Sequence, residues 1–267
     1  MSFAKKSLGQ NFLHDEEVLK DILEAGDLKP KDRVLEIGPG EGFLTRGLIN
    51  KGAHVTALEF DADLIPWLKM EFGKVPNFEL VHTDALKYQP SNEPYKLIAN
   101  IPYYITSPIL NHYLVEQFVN GNPPTLMVLM VQREVAEKIV AADGKHSVLS
   151  LQVHLFGKPE LVRIVSPKCF RPKPKVDSAV LKVSIYDKPA LQGNFKQLFW
   201  LFKVSFAQKR KKLSNNLRNV LKLNATEVKE LLTKASIHQD ARAEDLTLDQ
   251  WQNLFNELGS HLPSFSK

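Results

Sequence analysis

Short apolar runs alternate with amphipathic stretches over the first two-thirds of this chain. Helical spacing follows these runs at residues 43–50 and 62–72, and again from residue 133. Because strands that alternate with helices build sheets of mostly parallel strands, the pattern predicts an α/β fold. Residues 161–165 and 178–185 alternate as strands do, and we expect them to complete the sheet as an antiparallel edge hairpin. The five earlier strand-like runs cover residues 33–37, 54–59, 78–82, 95–99 and 125–131.

The last part of the chain has a purely helical pattern. Large apolar residues recur three or four positions apart, and this spacing continues from Phe195 to Leu221. Further helical patterns cover residues 227–235 and 248–258, and Thr247 is the predicted N-cap of the second of these. The chain is therefore predicted to contain an α/β domain and a small C-terminal all-helical domain. Their predicted bounds are residues 1–187 and residues 188–267.

Positive charge is concentrated in the predicted helical domain. The formal net charge is +5, yet residues 1–188 contain 23 basic and 23 acidic residues. Residues 189–267 contain 12 basic and 7 acidic residues, so they carry the whole excess. Such a basic stretch can be a solvated surface, but it favours a polyanion partner, most commonly nucleic acid. The residues that we predict to bind RNA are Lys209, Arg210, Lys211 and Lys212.

Composition and the N-terminus indicate a protein of a reducing compartment. Cys169 is the only cysteine, which excludes an internal disulfide bond. The first residues lack the apolar core of a signal peptide, and no apolar run approaches the ~20 residues that span a bilayer. The histidines show no metal-ligand spacing. We therefore expect a cytoplasmic protein that binds neither a membrane nor a metal, and we take a monomer as the default.

A glycine-rich turn follows the first predicted strand of the sheet. Gly38, Gly40 and Gly42 lie between this strand and a predicted helix, as in turns that bind nucleotides. Glu59 ends the next strand, where a carboxylate can accept hydrogen bonds from both ribose hydroxyls. Asp84 follows the third strand, within reach of an adenine amino group. Because no basic residue in the turn can meet a pyrophosphate, S-adenosylmethionine (SAM) is favoured over a nicotinamide dinucleotide. A structural turn with two surface acids is the alternative.

The segment from Leu97 to Tyr104 combines an amide with aromatic rings at the end of a predicted strand. The exocyclic amine of adenine is a weak nucleophile because its lone pair is delocalised into the ring. Asn100 can accept hydrogen bonds from this amine, and Tyr103 can stack on the base. Tyr104 is the better candidate for packing inward. The segment predicts methyl transfer to an amino nitrogen of a planar base, by alignment of the reacting atoms and without a covalent intermediate.

These motifs together resemble those of the ribosomal RNA adenine N6,N6-dimethyltransferases. The resemblance runs from Lys6-Ser7-Leu8-Gly9-Gln10-Asn11-Phe12-Leu13 to residues 240–246. It implies a Rossmann-like SAM-dependent methyltransferase sheet with a small C-terminal all-helical domain. It also implies, as substrate, two adjacent adenosines near the end of small-subunit ribosomal RNA in an assembling subunit, with four methyl groups transferred in all. The implied cofactor contacts are Asn11, Leu13, Gly38, Glu59, Asp84 and Asn100.

The resemblance also implies roles for three shorter segments. Asn100-Ile101-Pro102-Tyr103 matches the target-adenine motif of the family. Residues 170–178 match a second motif, whose Phe170 is implied to stack on the other side of the base; an ordinary core aromatic is the alternative. Residues 9–13 are too short for a strand, and are implied to form a lid over the cofactor; an ordered arm that leads to the helix from Asp15 is the alternative. The implied catalytic residues are thus Asn100, Tyr103 and Phe170.

Two other functions remain compatible with the same motifs. A large-subunit rRNA methyltransferase of the antibiotic-resistance type belongs to the same family, although residues 206–212 and 241–244 look more like the small-subunit enzymes. A non-catalytic ribosome-assembly factor could share the fold, but the complete Asn100–Tyr103 motif and the glycine turn argue against it. A nicotinamide oxidoreductase is disfavoured because the glycine spacing differs from the dinucleotide pattern.

Overall fold

The computed structural model of the chain describes residues 4–5, 8–141 and 145–265. Lys6 and Ser7, which open the segment that resembles the family, lie outside the described residues. Contacts group the chain into two compact units. One runs to Glu137 and continues over Lys158–Tyr186, and the other contains Lys138–Gly157 and the chain from Asp187 onward. The division at residues 187 and 188 stays a prediction, and residues 138–157 group with the second unit.

The first unit is built on a seven-stranded sheet and a two-stranded one. The large sheet has the order β4-β3-β2-β5-β6-β9-β7, and β1 pairs with β8. In the described part of the chain the strands are β1 (Phe12–Leu13), β2 (Arg33–Ile37), β3 (His54–Glu59), β4 (Phe78–His82), β5 (Lys96–Asn100), β6 (Leu126–Gln132), β7 (Gly157–Val165), β8 (Phe170–Arg171) and β9 (Ser178–Ile185).

Helices connect these strands and make up most of the second unit. A π-helical stretch, Leu110–Glu116, joins α4 to α5. The described α-helices are α1 (Glu16–Ala25), α2 (Phe43–Asn50), α3 (Ile65–Phe72), α4 (Thr106–Ile109), α5 (Gln117–Val119), α6 (Arg133–Val140), α7 (Val148–Phe156), α8 (Phe195–Ser205), α9 (Leu213–Leu221), α10 (Ala225–Lys234) and α11 (Leu248–Leu258).

The direction of the strands creates a crevice at one edge of the large sheet. Strands β4, β3, β2, β5 and β6 are parallel, and β9 pairs antiparallel with β6. The chain moves outward from β2 to β4 and then returns to add β5 on the other side of β2. Open α/β sheets bind ligands at such a reversal, beside the carboxyl ends of the strands. Glu59 and Asn100, which end β3 and β5, lie at this edge. The predicted α/β class is confirmed.

The central strands are apolar because both faces of the sheet are covered. Leu97 and Ile98 of β5, and Met127 and Leu129 of β6, have no exposed surface. Parallel strands buried on both faces read as continuous apolar runs rather than as alternating ones. Asp15 begins α1 as its N-cap, and its side chain accepts a hydrogen bond from the Val18 amide at 3.0 Å.

The two-residue strands β1 and β8 correct one expectation. Residues 9–13 were expected to be too short for a strand, yet Phe12 and Leu13 pair antiparallel with Arg171 and Phe170. The expectation was wrong because two residues have no periodicity of their own. Their partner comes from a distant part of the chain.

The second unit has an aromatic core. Phe202 packs edge-on against Trp251, with 5.0 Å between the ring centroids, and Phe156 packs similarly against Phe195 at 5.4 Å. Thr247 is the N-cap of α11, as predicted, and its hydroxyl accepts a hydrogen bond from the Gln250 amide at 3.2 Å. Across the described ranges of both units, no helix is long and apolar enough to span a bilayer.

Candidate active site

The glycine turn after β2 requires its glycines for backbone and packing reasons. Gly38 and Gly42 have φ values of 66° and 84°, a region that residues with a Cβ rarely adopt. A Cβ on Gly42 would lie 2.3 Å from the Phe72 ring. The Gly38 amide donates to the Leu58 carbonyl at 2.9 Å, which ties the turn to the end of β3. The turn is therefore held open beside the carboxyl ends of β2 and β3.

A cavity of about 250 Å³ opens at this edge and brings together six of the eight residues predicted to bind the cofactor or take part in catalysis. Its described lining contains no lysine, arginine or histidine. Apolar side chains such as Ile37, Leu58, Leu64 and Ala85 form part of its wall. The predicted site residues that line it are Asn11, Gly38, Glu59, Asp84, Asn100 and Tyr103.

Glu59 is a buried carboxylate with unused capacity to accept hydrogen bonds. Only 5% of the residue is exposed. Its Oε1 accepts from the Asp61 amide at 2.7 Å, and its Oε2 accepts from the Gly40 amide at 3.4 Å. Burial raises the pKa of Glu59 above its ordinary value, although these backbone donors oppose the rise. Each carboxylate oxygen can accept a further hydrogen bond, so the group can still receive two hydroxyl donors from the cavity.

Asp84 lies in a loop that is fixed by its neighbours. Its Oδ1 accepts a hydrogen bond from the Leu86 amide at 3.0 Å. The buried Tyr113 hydroxyl donates to the Ala85 carbonyl at 2.6 Å. These two contacts hold the carboxylate at the cavity wall, where it can accept from an amino group.

Asn100 joins the end of β5 to the N-terminal segment. Its Nδ2 donates to the Asn11 carbonyl at 3.0 Å. The Asn11 side chain in turn donates to the Gly9 carbonyl at 3.0 Å. The first of these bonds fixes the orientation of the Asn100 amide and leaves its Oδ1 available as an acceptor.

Tyr103 and Tyr104 differ in exposure, and Tyr104 does not pack as expected. Tyr104 was expected to pack inward, but 64% of it is exposed, so this expectation was wrong. Tyr103 is only partly exposed, and its hydroxyl is hydrogen-bonded to the buried Ser178 hydroxyl on β9. Burial raises the pKa of Tyr103, although the Ser178 contact opposes the rise. The Tyr103 ring is therefore held at the cavity wall. The Tyr104 ring also lines the cavity and packs against Gly9, at about 3.2 Å from a Cβ built there.

Leu13 and Phe170 do not line the cavity. Both are buried in the apolar core of the first unit, with exposed fractions of 5% and 0%. They are partners in the β1–β8 pair. The structure thus brings six of the predicted residues together and leaves these two behind the wall, so their roles stay predictions.

Gln10 and Phe60 are among the cavity residues to which the sequence assigned no role. Gln10 lines the cavity from the N-terminal segment. Phe60 follows Glu59, and 62% of this large apolar residue is exposed beside the same cavity. An aromatic residue directly after a strand-terminal acid was the available signal for Phe60, because such a ring faces the same edge of the sheet.

The four predicted RNA-binding residues lie in the second unit. Lys209, Arg210, Lys211 and Lys212 are exposed and occupy the turn between α8 and α9. The spacing predicted helix through this region, and that expectation was wrong because α8 ends at Ser205. Lys212 pairs with Asp240 at 2.5 Å. A surface cavity of about 300 Å³ beside this pair is also lined by Arg218 and Lys229.

The parallel sheet, its glycine turn and the acid-lined cavity define the class, a Rossmann-like methyltransferase. The chain matches the model of the ribosomal RNA adenine dimethylase family over residues 1–260, and it belongs to that family. Family membership confirms the resemblance and the predicted enzyme class.

Individual relatives agree with this assignment. The ribosomal RNA small subunit methyltransferase A of Dehalococcoides mccartyi is 43% identical over 257 residues, which cover 94% of this chain and 87% of that protein. The solved 23S rRNA methyltransferase ErmE is 30% identical, covers 93% of this chain and 100% of its own, and has a TM-score of 0.75. A dimethyladenosine transferase from Plasmodium falciparum is 27% identical, with coverage of 94% and 98% and a TM-score of 0.77.

Proposed function

We propose that this protein uses SAM to dimethylate the N6 amino groups of adenosines in small-subunit ribosomal RNA. The substrate would be two adjacent adenosines near the 3′ end, which would receive four methyl groups in all. The transfer would take place on rRNA within an assembling subunit. The cytoplasmic location and the monomeric state stay predictions that accompany this proposal.

The observation that carries the proposal is the chemistry of the cavity wall. Two acids, Glu59 and Asp84, face a partly apolar cavity whose described lining has no basic side chain. A pyrophosphate would have no cationic partner there, whereas an uncharged adenosine and a sulfonium would suit acidic and apolar neighbours. The donor set therefore fits SAM, which supplies an activated methyl group when it is bound.

The predicted residues that line the cavity have roles that their positions support. Glu59 would accept the ribose hydroxyls, and Asp84 would accept the amino group of the cofactor's adenine. Gly38 lets the backbone approach the cofactor, and Asn11 would contact it from the N-terminal segment, with Leu13 packed behind. Asn100 has a free Oδ1 that would accept from the target amine.

The target base would be held by stacking. Tyr103 lines the cavity beside Asn100, so its ring would stack on the adenine. Phe170 would stack on the other side only if the cavity wall opened toward the core in which this ring lies. The base must leave any helix stack to reach the cavity, which favours a loop or an unpaired region of rRNA.

The sequence relatives favour the small subunit over the large one. The D. mccartyi small-subunit enzyme is 43% identical to this chain, whereas the 23S rRNA methyltransferase is 30% identical. The large-subunit activity is the second candidate because that enzyme shares the fold over almost the whole chain.

The proposal is tested by offering the protein three RNA substrates with methyl-labelled SAM. These are deproteinised small-subunit rRNA, assembled small subunits and deproteinised large-subunit rRNA. We expect label on N6-dimethyladenosine at two adjacent positions of small-subunit rRNA. We also expect the amount of label to differ between deproteinised small-subunit rRNA and assembled small subunits. Label on large-subunit rRNA alone would overturn the choice of subunit. SAM binding without any transfer would favour the assembly factor.

A matched pair of variants tests the cofactor site itself. Glu59→Gln replaces one of the two buried acceptor oxygens with an NH2 donor, and Glu41→Gln changes an exposed acid in the same turn. Loss of buried hydrogen bonds should weaken SAM binding by about 1–3 kcal/mol in the first variant only. Calorimetry that shows equal SAM affinity for both folded variants would remove Glu59 from the site.

A further inference from the structure

One side of the cavity is formed by the start of the chain. We call Lys5 and residues 8–12 the N-terminal arm. Residues 8–12 all line the cavity. Inside the arm, the Lys5 amide donates to Gln10 Oε1 at 2.7 Å, which folds the arm back on itself. A cofactor in this cavity would therefore lie against the arm.

Asp61 attaches the arm to the loop after β3. Its Oδ1 lies 2.6 Å from Lys5 Nζ, and its Oδ2 accepts from Gln10 Nε2 at 2.8 Å. Lys5 also pairs with Asp63 at 2.6 Å. Only 4% of Asp61 is exposed, whereas 74% of the Asp63 side chain is exposed. Asp61 is thus the buried partner in this contact, and Asp63 is the solvated one.

The charges of this contact are mutually stabilised. Burial alone would raise the pKa of Asp61, but hydrogen bonds from Lys5 and Gln10 outweigh it and leave the pKa below its ordinary value. Hydrogen bonds to Asp61 and Asp63 raise the pKa of Lys5. A buried carboxylate that loses its cation is left with an uncompensated charge, so release of the arm from Asp61 is unfavourable.

Asp61 also contacts the proposed ribose-binding group. Its backbone amide donates to Glu59 Oε1 at 2.7 Å. One residue therefore holds the arm through its side chain and Glu59 through its backbone. The position of the arm and the orientation of Glu59 are coupled by this shared residue.

We propose that Asp61 is a positioning residue that holds the N-terminal arm closed over the cofactor site, so that SAM leaves only when Lys5 and Gln10 release the carboxylate. This inference rests on the proposed function because it takes SAM as the occupant of the cavity. It goes beyond that function in assigning the retention of the cofactor to a specific ion pair.

The test measures how fast bound SAM dissociates. Labelled SAM is bound to the full chain and chased with excess unlabelled SAM. Lys5→Met removes the cation, Lys5→Arg keeps it, and Lys29→Met removes a comparable exposed lysine that pairs with Asp27 elsewhere. We expect dissociation on the order of tenfold faster for K5M, as for the loss of a charge-assisted hydrogen bond. K5R and K29M should dissociate SAM at the wild-type rate.

Salt and thermal unfolding provide second readouts. The wild-type dissociation rate should rise with ionic strength because salt screens the partly exposed Lys5, and the K5M rate should change less. A purely structural role for Lys5 would lower the unfolding temperature of K5M and leave the dissociation rate unchanged. That result, with wild-type SAM binding intact, would overturn the inference alone. Wild-type protein that fails to bind SAM would overturn both the inference and the proposed function.

Discussion

The side-chain amide of Asn100 donates a hydrogen bond to the backbone carbonyl of Asn11 at 3.0 Å, across 89 positions of sequence. This bond connects the residue proposed to meet the target amine with the N-terminal arm that forms one side of the cofactor cavity. The same amide thus has its donor used by the protein and its acceptor free for substrate. Substitution of Asn100 should consequently affect both chemistry and cofactor retention.

We predict that Asn100→Ala loses most methyl transfer and also binds SAM more weakly. The target amine would lose its acceptor, and the arm would lose one anchor. Asn77→Ala is a matched control, because Asn77 Nδ2 donates in the same way to the Ala53 carbonyl at 2.6 Å, away from the cavity. Single-turnover methylation and calorimetry measure the two effects separately. Normal turnover in folded N100A would remove Asn100 from the chemistry.

Tyr103 and a second tyrosine outside the cavity allow base stacking to be separated from general effects of aromatic loss. Tyr103→Ala should reduce methylation substantially, since stacking on a base is worth roughly 1–3 kcal/mol, and should leave SAM affinity nearly unchanged. Tyr103→Phe keeps the ring and should retain most activity. Tyr186→Ala removes an exposed tyrosine of the first unit that does not line the cavity, and it serves as the control. Equal methylation rates for Y103A and Y186A would contradict the stacking role.

Phe170 requires a variant that preserves the core. Because the ring is fully buried, Phe170→Ala should lower the free energy of unfolding by about 3–5 kcal/mol and would not isolate a role in binding. Phe170→Leu fills more of the space, so it should cost less stability and leave SAM affinity intact. If Phe170 stacks on the base, F170L should methylate RNA more slowly than wild type even though it remains folded. Wild-type rates in stable F170L would assign this ring to the core alone.

Glu36 should make stability depend on pH. Burial, aided by the charge of Glu59, raises the pKa of Glu36 from 4.5 to about 8, against a hydrogen bond from Thr45. The native state therefore holds a proton that the unfolded chain releases above about pH 4.5. The resulting stability is present at low pH and is lost as pH rises from about 4.5 to about 8.

Glu36→Gln, which mimics the protonated acid, should remove this pH dependence. Its stability relative to wild type should rise across that pH window, by several kcal/mol in all, since one pKa unit corresponds to about 1.4 kcal/mol. Glu79→Gln is the control, because Glu79 accepts from Thr56 in an exposed version of the same contact. Urea unfolding at several pH values measures both differences. A constant difference between E36Q and wild type across the window would contradict the prediction.

The basic turn between α8 and α9 should bind RNA through phosphates. Replacing Lys209, Arg210 and Lys211 with Ala should weaken rRNA binding regardless of local sequence and leave SAM affinity unchanged. Each lost phosphate contact should reduce the log–log salt slope by about 0.7–0.9. A triple variant of exposed lysines in the first unit, K69A/K74A/K87A, matches the change in charge. Equal affinities and equal slopes for the two triple variants would mean that this turn makes no specific contribution.

The sequence was sufficient to predict the strands and the cavity residues where the local apolar pattern and the chemistry of the side chains coincide. The bounds of β2, β3 and β9 were predicted without error, and β5 and β6 were displaced by a single residue. Five of the six predicted residues that line the cavity lie at or after the carboxyl ends of parallel strands, and Asn11 comes from the N-terminal segment. The convergence of these five follows from the parallel direction of the strands, which the alternating pattern predicts.

Other elements lacked such a local signal. Helix α7, Val148–Phe156, is apolar over most of its length, so it has no polar face that distinguishes a helix from a strand. The helical segment that contains the π-helical stretch was also not predicted. Contacts such as that of Asp61 with Lys5 join residues 56 positions apart, and no spacing rule connects them.

The second unit is built from two separate segments of the chain, and this affects how the chain can be shortened. The polypeptide passes between the two units three times, at residues 137, 157 and 186. A fragment ending at Tyr186 would retain α7 but lose Phe195 and Phe199, the rings that cover Phe156. It would also remove the Ala190 amide that donates to the Leu155 carbonyl at 2.8 Å. Truncation would leave an exposed apolar helix behind, so a shortened chain is expected to aggregate rather than yield an isolated catalytic fragment.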